Sequence, residues 1–73
     1  MFVENQIVSL QYDKEAENLM AGMVGTIVMV YPKKMYPDLP QAYEVEFADE
    51  DGITLALITL LETDLAATTP RSN

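Results

Sequence analysis

The chain has 73 residues, with 12 Asp and Glu against 4 Lys and Arg, and it contains no His and no Cys. This length allows one domain, which must be held by its core because no disulfide or thiolate metal site can form. A net charge of −8 gives no electrostatic basis for binding nucleic acid, and the commonest general base and soft nucleophile are missing. The hydrophobic content of 49% predicts a folded domain. We therefore expect no enzyme, no cofactor and no metal site.

No targeting or membrane-spanning segment is recognisable in the sequence. A secretory signal begins with basic residues, whereas Glu4 comes at once and no Lys or Arg precedes Lys14. The longest uncharged stretch, residues 18–32, is interrupted by polar residues and glycines, and its apolar part is shorter than the roughly 18 to 20 residues of a spanning helix. These features and the absence of cysteine predict a cytoplasmic protein of a bacterium or similar cell, with no membrane contact.

The first predicted elements are a strand and a long loop. Residues 5–10 (NQIVSL) begin with a polar pair and continue into an apolar run that is typical of a strand. Residues 11–21 (QYDKEAENLMA) are rich in charge and predict a loop. A short helix capped by Asp13 is the alternative for this segment.

Residues 23–31 (MVGTIVMVY) predict the second strand, because they are β-branched and apolar rather than helical in pattern. Gly22 and Gly25 stand at its start, where glycine permits a positive φ or a bulge, and Pro32 ends it. Strict alternation places two sets of side chains on opposite faces: Thr26, Val28 and Val30 on one, and Ile27, Met29 and Tyr31 on the other.

The second half of the chain predicts three more strands. Residues 32–41 contain three of the four prolines and predict an extended loop, and residues 42–48 (AYEVEFA) alternate as a strand. Its expected orientation is Tyr43, Val45 and Phe47 inward, with Glu44 and Glu46 outward. Residues 49–52 (DEDG) predict a hairpin turn, residues 53–60 (ITLALITL) the fourth strand, residues 61–64 a tight turn, and residues 65–66 a last short strand.

This order of elements predicts an all-β fold, a small five-stranded SH3-like barrel that is partly open. A barrel limits the exposed sheet edges of so apolar a chain. We expect a single domain over residues 1–67 and a flexible tail over residues 68–73.

Two resemblances follow from the spaced glycines and the strands behind them. Residues 19–31 (LMAGMVGTIVMVY) resemble the KOW-type barrels of transcription elongation factors and ribosomal proteins. The fuller pattern, from Gly22-x-x-Gly25-Thr26-Ile27-Val28 through residues 42–47 and Asp51-Gly52 to Thr59-Leu60, resembles a family of small bacterial proteins known as a domain of unknown function. That resemblance implies an SH3-like barrel without an assigned activity. Its members look like the small half of two-gene modules, which implies an antitoxin or immunity role.

Two groups of side chains are candidates for contact with a partner. Glu44, Glu46, Asp49, Glu50 and Asp51 belong to one region without any base, and they are interpreted as a solvated acidic rim and not as a cation site or an acid–base pair. The apolar excess of the second and fourth strands exceeds what one sheet face can bury, so some of it is expected at the surface, with Tyr31 and Ile58 as candidate contacts. The alternative is that strand curvature and the 11–21 loop cover this apolar surface.

These features favour a non-catalytic protein-interaction module that binds a basic protein partner. In its most concrete form it is the antitoxin or immunity member of a two-gene pair, with a toxin as the partner. The alternatives are an accessory subunit or assembly factor of an enzyme, and a ribosome- or transcription-associated module of the KOW type. A homodimer through the apolar strand face is also open.

Overall fold

The computed structural model describes residues 1–68 of the chain. Its strands form one antiparallel sheet in the order β4-β3-β2-β1-β5. The strands are β1 (Ile7–Leu10), β2 (Val24–Val30), β3 (Ala42–Ala48), β4 (Thr54–Leu61) and β5 (Leu65–Ala67). Three single 3₁₀ turns connect them, at Glu15–Glu17, Lys33–Met35 and Glu62–Asp64. The expected all-β class and the five strands are confirmed.

The sheet is open but strongly curled. Its edge strands, β4 and β5, would lie about 19 Å apart in a flat sheet with an inter-strand spacing of about 4.8 Å. Yet Leu61 at the end of β4 and Leu65 at the start of β5 are joined only by the turn Glu62–Asp64, and four peptide steps reach at most about 14 Å. The sheet must therefore bend round until its two edges approach each other.

The core lies inside this curl. Alternate β3 residues point into it, since Tyr43, Val45 and Phe47 are fully buried as their spacing predicted. The other buried apolar residues are Ala42 of β3 and seven residues of the remaining strands, the N-terminal segment and the β1–β2 loop: Phe2, Val8, Leu10, Leu19, Ile27, Leu60 and Leu65. No polar or charged side chain of the described residues is buried.

Gly25 is required by close packing and not by an unusual φ. It pairs with Phe47 in the β2–β3 ladder. A Cβ at this position would lie 2.9 Å from Phe47 Cε1 and 2.9 Å from Val45 Cγ1. The glycine thus leaves room for the side chains of Phe47 and Val45 against β2.

The strict alternation expected for β2 is wrong. The register shifts between Ile27 and Met29, which is a β-bulge opposite β3. Ile27 is buried, whereas Val28 and Met29 are both exposed, and Val30 returns to pack against the core. A bulge adds one residue to one strand, so the side chains beyond it change faces.

The loop between β1 and β2 contains one 3₁₀ turn in place of the alternative helix. The residue before the turn is Lys14, and the Asp13 side chain does not cap it. Instead Asp13 Oδ1 accepts a hydrogen bond from Ala21 N at 2.8 Å, which closes the loop. Leu19 is buried and anchors the loop to the core.

The predicted tail, residues 68–73, lies outside the described residues except for Thr68. The Thr68 hydroxyl donates to Ile7 O at 3.1 Å.

Candidate functional site

The convex side of the sheet carries a mixed acidic and apolar surface, which we call the outer face. Its residues come from the three neighbouring strands β2, β3 and β4 and share the side opposite the core. They are Val24, Thr26 and Met29 of β2, Glu44 and Glu46 of β3, and Thr54, Leu57 and Thr59 of β4.

Glu44 and Glu46 lie in the middle of the outer face because β3 is an inner strand of the sheet. Glu44 stands opposite Thr59 and Met29, and Glu46 stands opposite Leu57. Directly opposed side chains in antiparallel strands are about 5 Å apart at Cβ. Each carboxylate therefore lies between an exposed apolar side chain and a threonine: Glu44 beside Met29, which retains 40% of its surface, and Glu46 beside Leu57, which retains 53%.

Neutral hydroxyl groups hold both carboxylates. Glu44 Oε1 accepts hydrogen bonds from Thr59 Oγ1 at 2.8 Å and from Tyr31 Oη at 3.1 Å. Glu46 Oε2 accepts one from Thr54 Oγ1 at 2.6 Å. Such donors orient the carboxylates but do not neutralise their charge.

The hairpin tip extends this acidic surface beyond the end of β3. Asp49 Oδ1 accepts hydrogen bonds from Asp51 N and Ile53 N, each at 2.9 Å, and Gly52 at φ 80° completes the turn with a bond from its N–H to Asp49 O at 3.0 Å. The Asp-Gly hairpin predicted from the sequence is therefore present. Asp49 serves the turn, and Glu50 and Asp51 are exposed.

The ion pairs of residues 1–68 lie elsewhere. The Met1 ammonium lies 3.7 Å from Glu62 Oε2, and Lys14 Nζ lies 3.2 Å from Asp64 Oδ1. Lys33 Nζ donates to Leu39 O. Within the described residues, the five predicted contact carboxylates thus have no cationic partner, and their charge is offset only by solvent and salt.

The structure brings most of the predicted contact residues together and separates one of them. Tyr31 bonds Glu44 of the outer face, Glu46 lies on the same face, and residues 49–51 adjoin the start of β4. Ile58 pairs with Val45, faces the core and is half-buried. The exposed apolar side chains of this region are instead Ile53, Leu55 and Leu57. Leu55 lies at a β-bulge of β4, because Phe47 pairs with Ala56 and Ala48 pairs with Thr54.

A second feature, a groove of about 830 Å³, was not predicted. It lies where the proline-rich loop meets the ends of β2 and β4, and its lining is Met1, Val30, Tyr31, Pro32, Lys33, Pro40, Gln41 and Glu62. Its charged groups are already bonded, since Glu62 contacts Met1 N and Lys33 bonds Leu39 O. The only signal for it in the sequence was the density of proline and tyrosine over residues 31–40.

Beside the groove, Tyr43 links three segments. Its hydroxyl accepts from Phe2 N at 2.9 Å and donates to Glu62 Oε1, and its ring packs against Phe2 with centroids 5.4 Å apart. Burial, followed by the hydrogen bond to Glu62, raises the pKa of Tyr43 to about 12. This tyrosine therefore stays protonated and fastens the N-terminal segment to the end of β4.

Within residues 1–68, no group of three or more Asp or Glu side chains is arranged to hold a metal ion. Over the same range, no helix has the length and apolar character needed to cross a bilayer.

Comparison with known proteins identifies one family. Its model, described as a domain of unknown function, DUF4926, matches residues 4–67. The chain belongs to this family. The DUF4926 match covers all five strands, the outer face and every groove residue except Met1. Among curated proteins and among solved structures, none is significantly similar to the chain.

Proposed function

We propose that this DUF4926 domain is a non-catalytic interaction module whose outer face and hairpin tip bind a basic protein. One observation carries the proposal: Glu44, Glu46 and residues 49–51 have no cationic partner within residues 1–68 and lie beside exposed apolar side chains. Carboxylates around an apolar centre resemble the charged rim and apolar core of protein interfaces.

The most concrete form of this proposal is an antitoxin or immunity protein that covers a basic toxin. An unusually acidic surface speeds the capture of an oppositely charged partner, because steered association exceeds the rate of neutral encounters by orders of magnitude. Rapid capture is what a neutralising protein needs. A cytoplasmic bacterial setting and an SH3-like barrel remain part of the proposal.

A pair of matched charge variants tests the proposal. The face variant neutralises four carboxylates of the proposed surface: Glu44→Gln, Glu46→Gln, Glu50→Gln and Asp51→Asn. Asp49 is kept because its carboxylate holds the turn. The control variant neutralises four exposed carboxylates elsewhere: Glu4→Gln, Glu15→Gln, Glu17→Gln and Asp38→Asn. Both variants remove four of the eight units of net negative charge.

Wild type and both variants are immobilised and exposed at low salt to an extract of the source organism. Mass spectrometry identifies the basic proteins that they retain, and these proteins are then purified for kinetic measurements. We expect wild type and control variant to bind the same basic protein, and the face variant to associate at least about tenfold more slowly, with a smaller salt dependence. If the partner is a toxin, wild type and control variant restore growth on co-expression, and the face variant does not. Equal association of face and control variants at low salt would refute the acidic-surface proposal.

A further inference from the structure

β4 is the longer of the two edge strands of the sheet. β4 has eight residues, whereas the other edge strand, β5, has three. Residues 53–61 include no charge and no proline, which are the usual means of blocking an edge strand. Only the bulge at Leu55, near the start of the strand, interrupts its pairing geometry.

The ladder shows which backbone groups point away from β3. Glu62 N donates to Gln41 O at 2.7 Å, so Glu62 directs its backbone groups toward β3. In an antiparallel strand this direction alternates, and Leu61 accordingly bonds its N–H to Asp64 Oδ2 at 2.9 Å instead. By the same alternation Leu57 and Thr59 direct their N–H and C=O groups to the open edge.

Charge decides the kind of strand that fits this edge. The hairpin tip, residues 49–51, lies at the start of β4, and Glu44 and Glu46 lie one strand further in, opposite Thr59 and Leu57. An arriving strand with basic side chains would meet uncompensated carboxylates at its end and along its outer face. Its inward side chains would cover Ile58, which is half-buried at this edge.

A second copy of the chain fits less well. Antiparallel self-pairing centred on Leu57, which keeps edge-directed residues opposite each other, would bring Glu50 of one copy toward Asp64 of the other. A copy also contributes a net charge of −8, and two of its four basic residues, Lys14 and Lys33, are already bonded. Like charges opposite each other destabilise strand pairing.

We propose that β4 accepts an extended segment of the basic partner as a sixth strand, with backbone bonds to Leu57 and Thr59 and with Lys or Arg side chains directed to the outer face and hairpin tip. This inference rests on the proposed function and adds the binding mode, in which backbone bonds supply affinity and side chains supply selectivity.

The test uses a defined probe, a synthetic peptide of alternating Val and Thr with two Lys at each end, titrated into isotopically labelled protein and followed by NMR. Two peptides serve as controls, one with Glu in place of each Lys and one with a central Pro. We expect the Lys-flanked peptide to shift the amide signals of Leu57 and Thr59 and to bind at least about tenfold more tightly at low salt than either control.

Two substitutions at one position separate the backbone from the side chain. Leu57→Pro removes an N–H that points to the open edge and leaves the β3–β4 bonds in place, whereas Leu57→Thr removes only the apolar side chain. We expect Leu57→Pro to lose at least about tenfold in affinity and Leu57→Thr to lose less than about threefold. If Leu57→Pro does not fold, N-methylation of Leu57 in a chemically synthesised chain removes the same donor.

Three results would each overturn the strand-addition proposal. They are equal binding by the Pro and Thr variants, peptide-induced shifts confined to the groove beside Tyr31, and absence of saturable binding. Concentration-dependent shifts of Leu57 and Thr59 in the protein alone would also overturn it, because they would show self-pairing. Failure of the proposed function is distinguishable: the Lys- and Glu-flanked peptides would then bind equally, whatever the outcome at Leu57.

Discussion

Replacing Tyr43 by Phe removes a single hydroxyl group from the junction between the N-terminal segment and β4. In the folded protein this hydroxyl accepts from Phe2 N at 2.9 Å and donates to Glu62. The ring of Tyr43 is fully buried, so the Phe variant keeps the packing and loses the two bonds. Leaving the buried Phe2 N–H without an acceptor costs about 1 to 3 kcal/mol, so we expect a decrease of that size in the free energy of unfolding at pH 7.

The difference between wild type and the variant should shrink at alkaline pH. The pKa of Tyr43 is raised to about 12 in the folded state, whereas an unfolded tyrosine ionises near pH 10. Stability that depends on the protonated hydroxyl is complete below pH 10 and is lost as the pH rises toward 12, because the unfolded chain then releases its proton first. At pH 11 this linkage lowers wild-type stability by about 1.4 kcal/mol, and Tyr43→Phe has no such loss.

Urea denaturation followed by far-ultraviolet circular dichroism at pH 7, 9 and 11 measures both effects. Tyr12→Phe, at a side chain with 61% exposure, is the control for loss of a tyrosine. Ionisation of lysine affects wild type and variants alike and cancels in the difference. The same stability gap between wild type and Tyr43→Phe at pH 7 and pH 11 would refute the assignment of the raised pKa to a hydroxyl that holds the fold.

Two further substitutions test how the strands are held together. Gly25→Ala should lower the free energy of unfolding by about 1 to 3 kcal/mol, because the new Cβ would lie 2.9 Å from the Phe47 ring; an unchanged urea midpoint would contradict the close packing of β2 on β3. Asp64→Ala should cost about 1 to 2 kcal/mol in thermal unfolding, because Lys14 Nζ and Leu61 N both lose an acceptor, and Asp64→Asn should recover part of it. If the Ala and Asn variants are equally stable, the hydrogen bond to Leu61 does not hold the turn.

Much of the fold could be predicted from the sequence because the signals were local. The β3 range, residues 42–48, matches the structure, since apolar and acidic side chains alternate there without interruption. The hairpin could be predicted equally well from Asp51-Gly52, because the turn requires a positive φ and Gly52 adopts it.

The features that were missed depend on contacts between distant parts of the chain. The β2 bulge could not be predicted because Ile27, Val28 and Met29 are all apolar, so the alternation of polar and apolar residues does not change at the bulge. Phe2 was left outside every predicted strand, yet it is buried against Tyr43, 41 positions along the chain, which also binds its N–H.

For the candidate site, composition located the acidic region but not the faces within it. Glu44 and Glu46 were assigned to the outer surface because they alternate along β3 with apolar side chains. Ile58 and Leu57 are both apolar and adjacent, and only the pairing of Ile58 with Val45 shows which of the two points inward.

The curl that brings Leu61 close to Leu65 also sets an order of assembly. β2, β3 and β4 follow one another in the chain and pair as neighbours, so they can form before the last strand is available. β1 pairs on one side with β2 and on the other with β5, a partner more than fifty residues away. During synthesis Val8 and Leu10 therefore stay open on one flank until Leu65–Ala67 has emerged, and the β1–β5 ladder cannot form earlier.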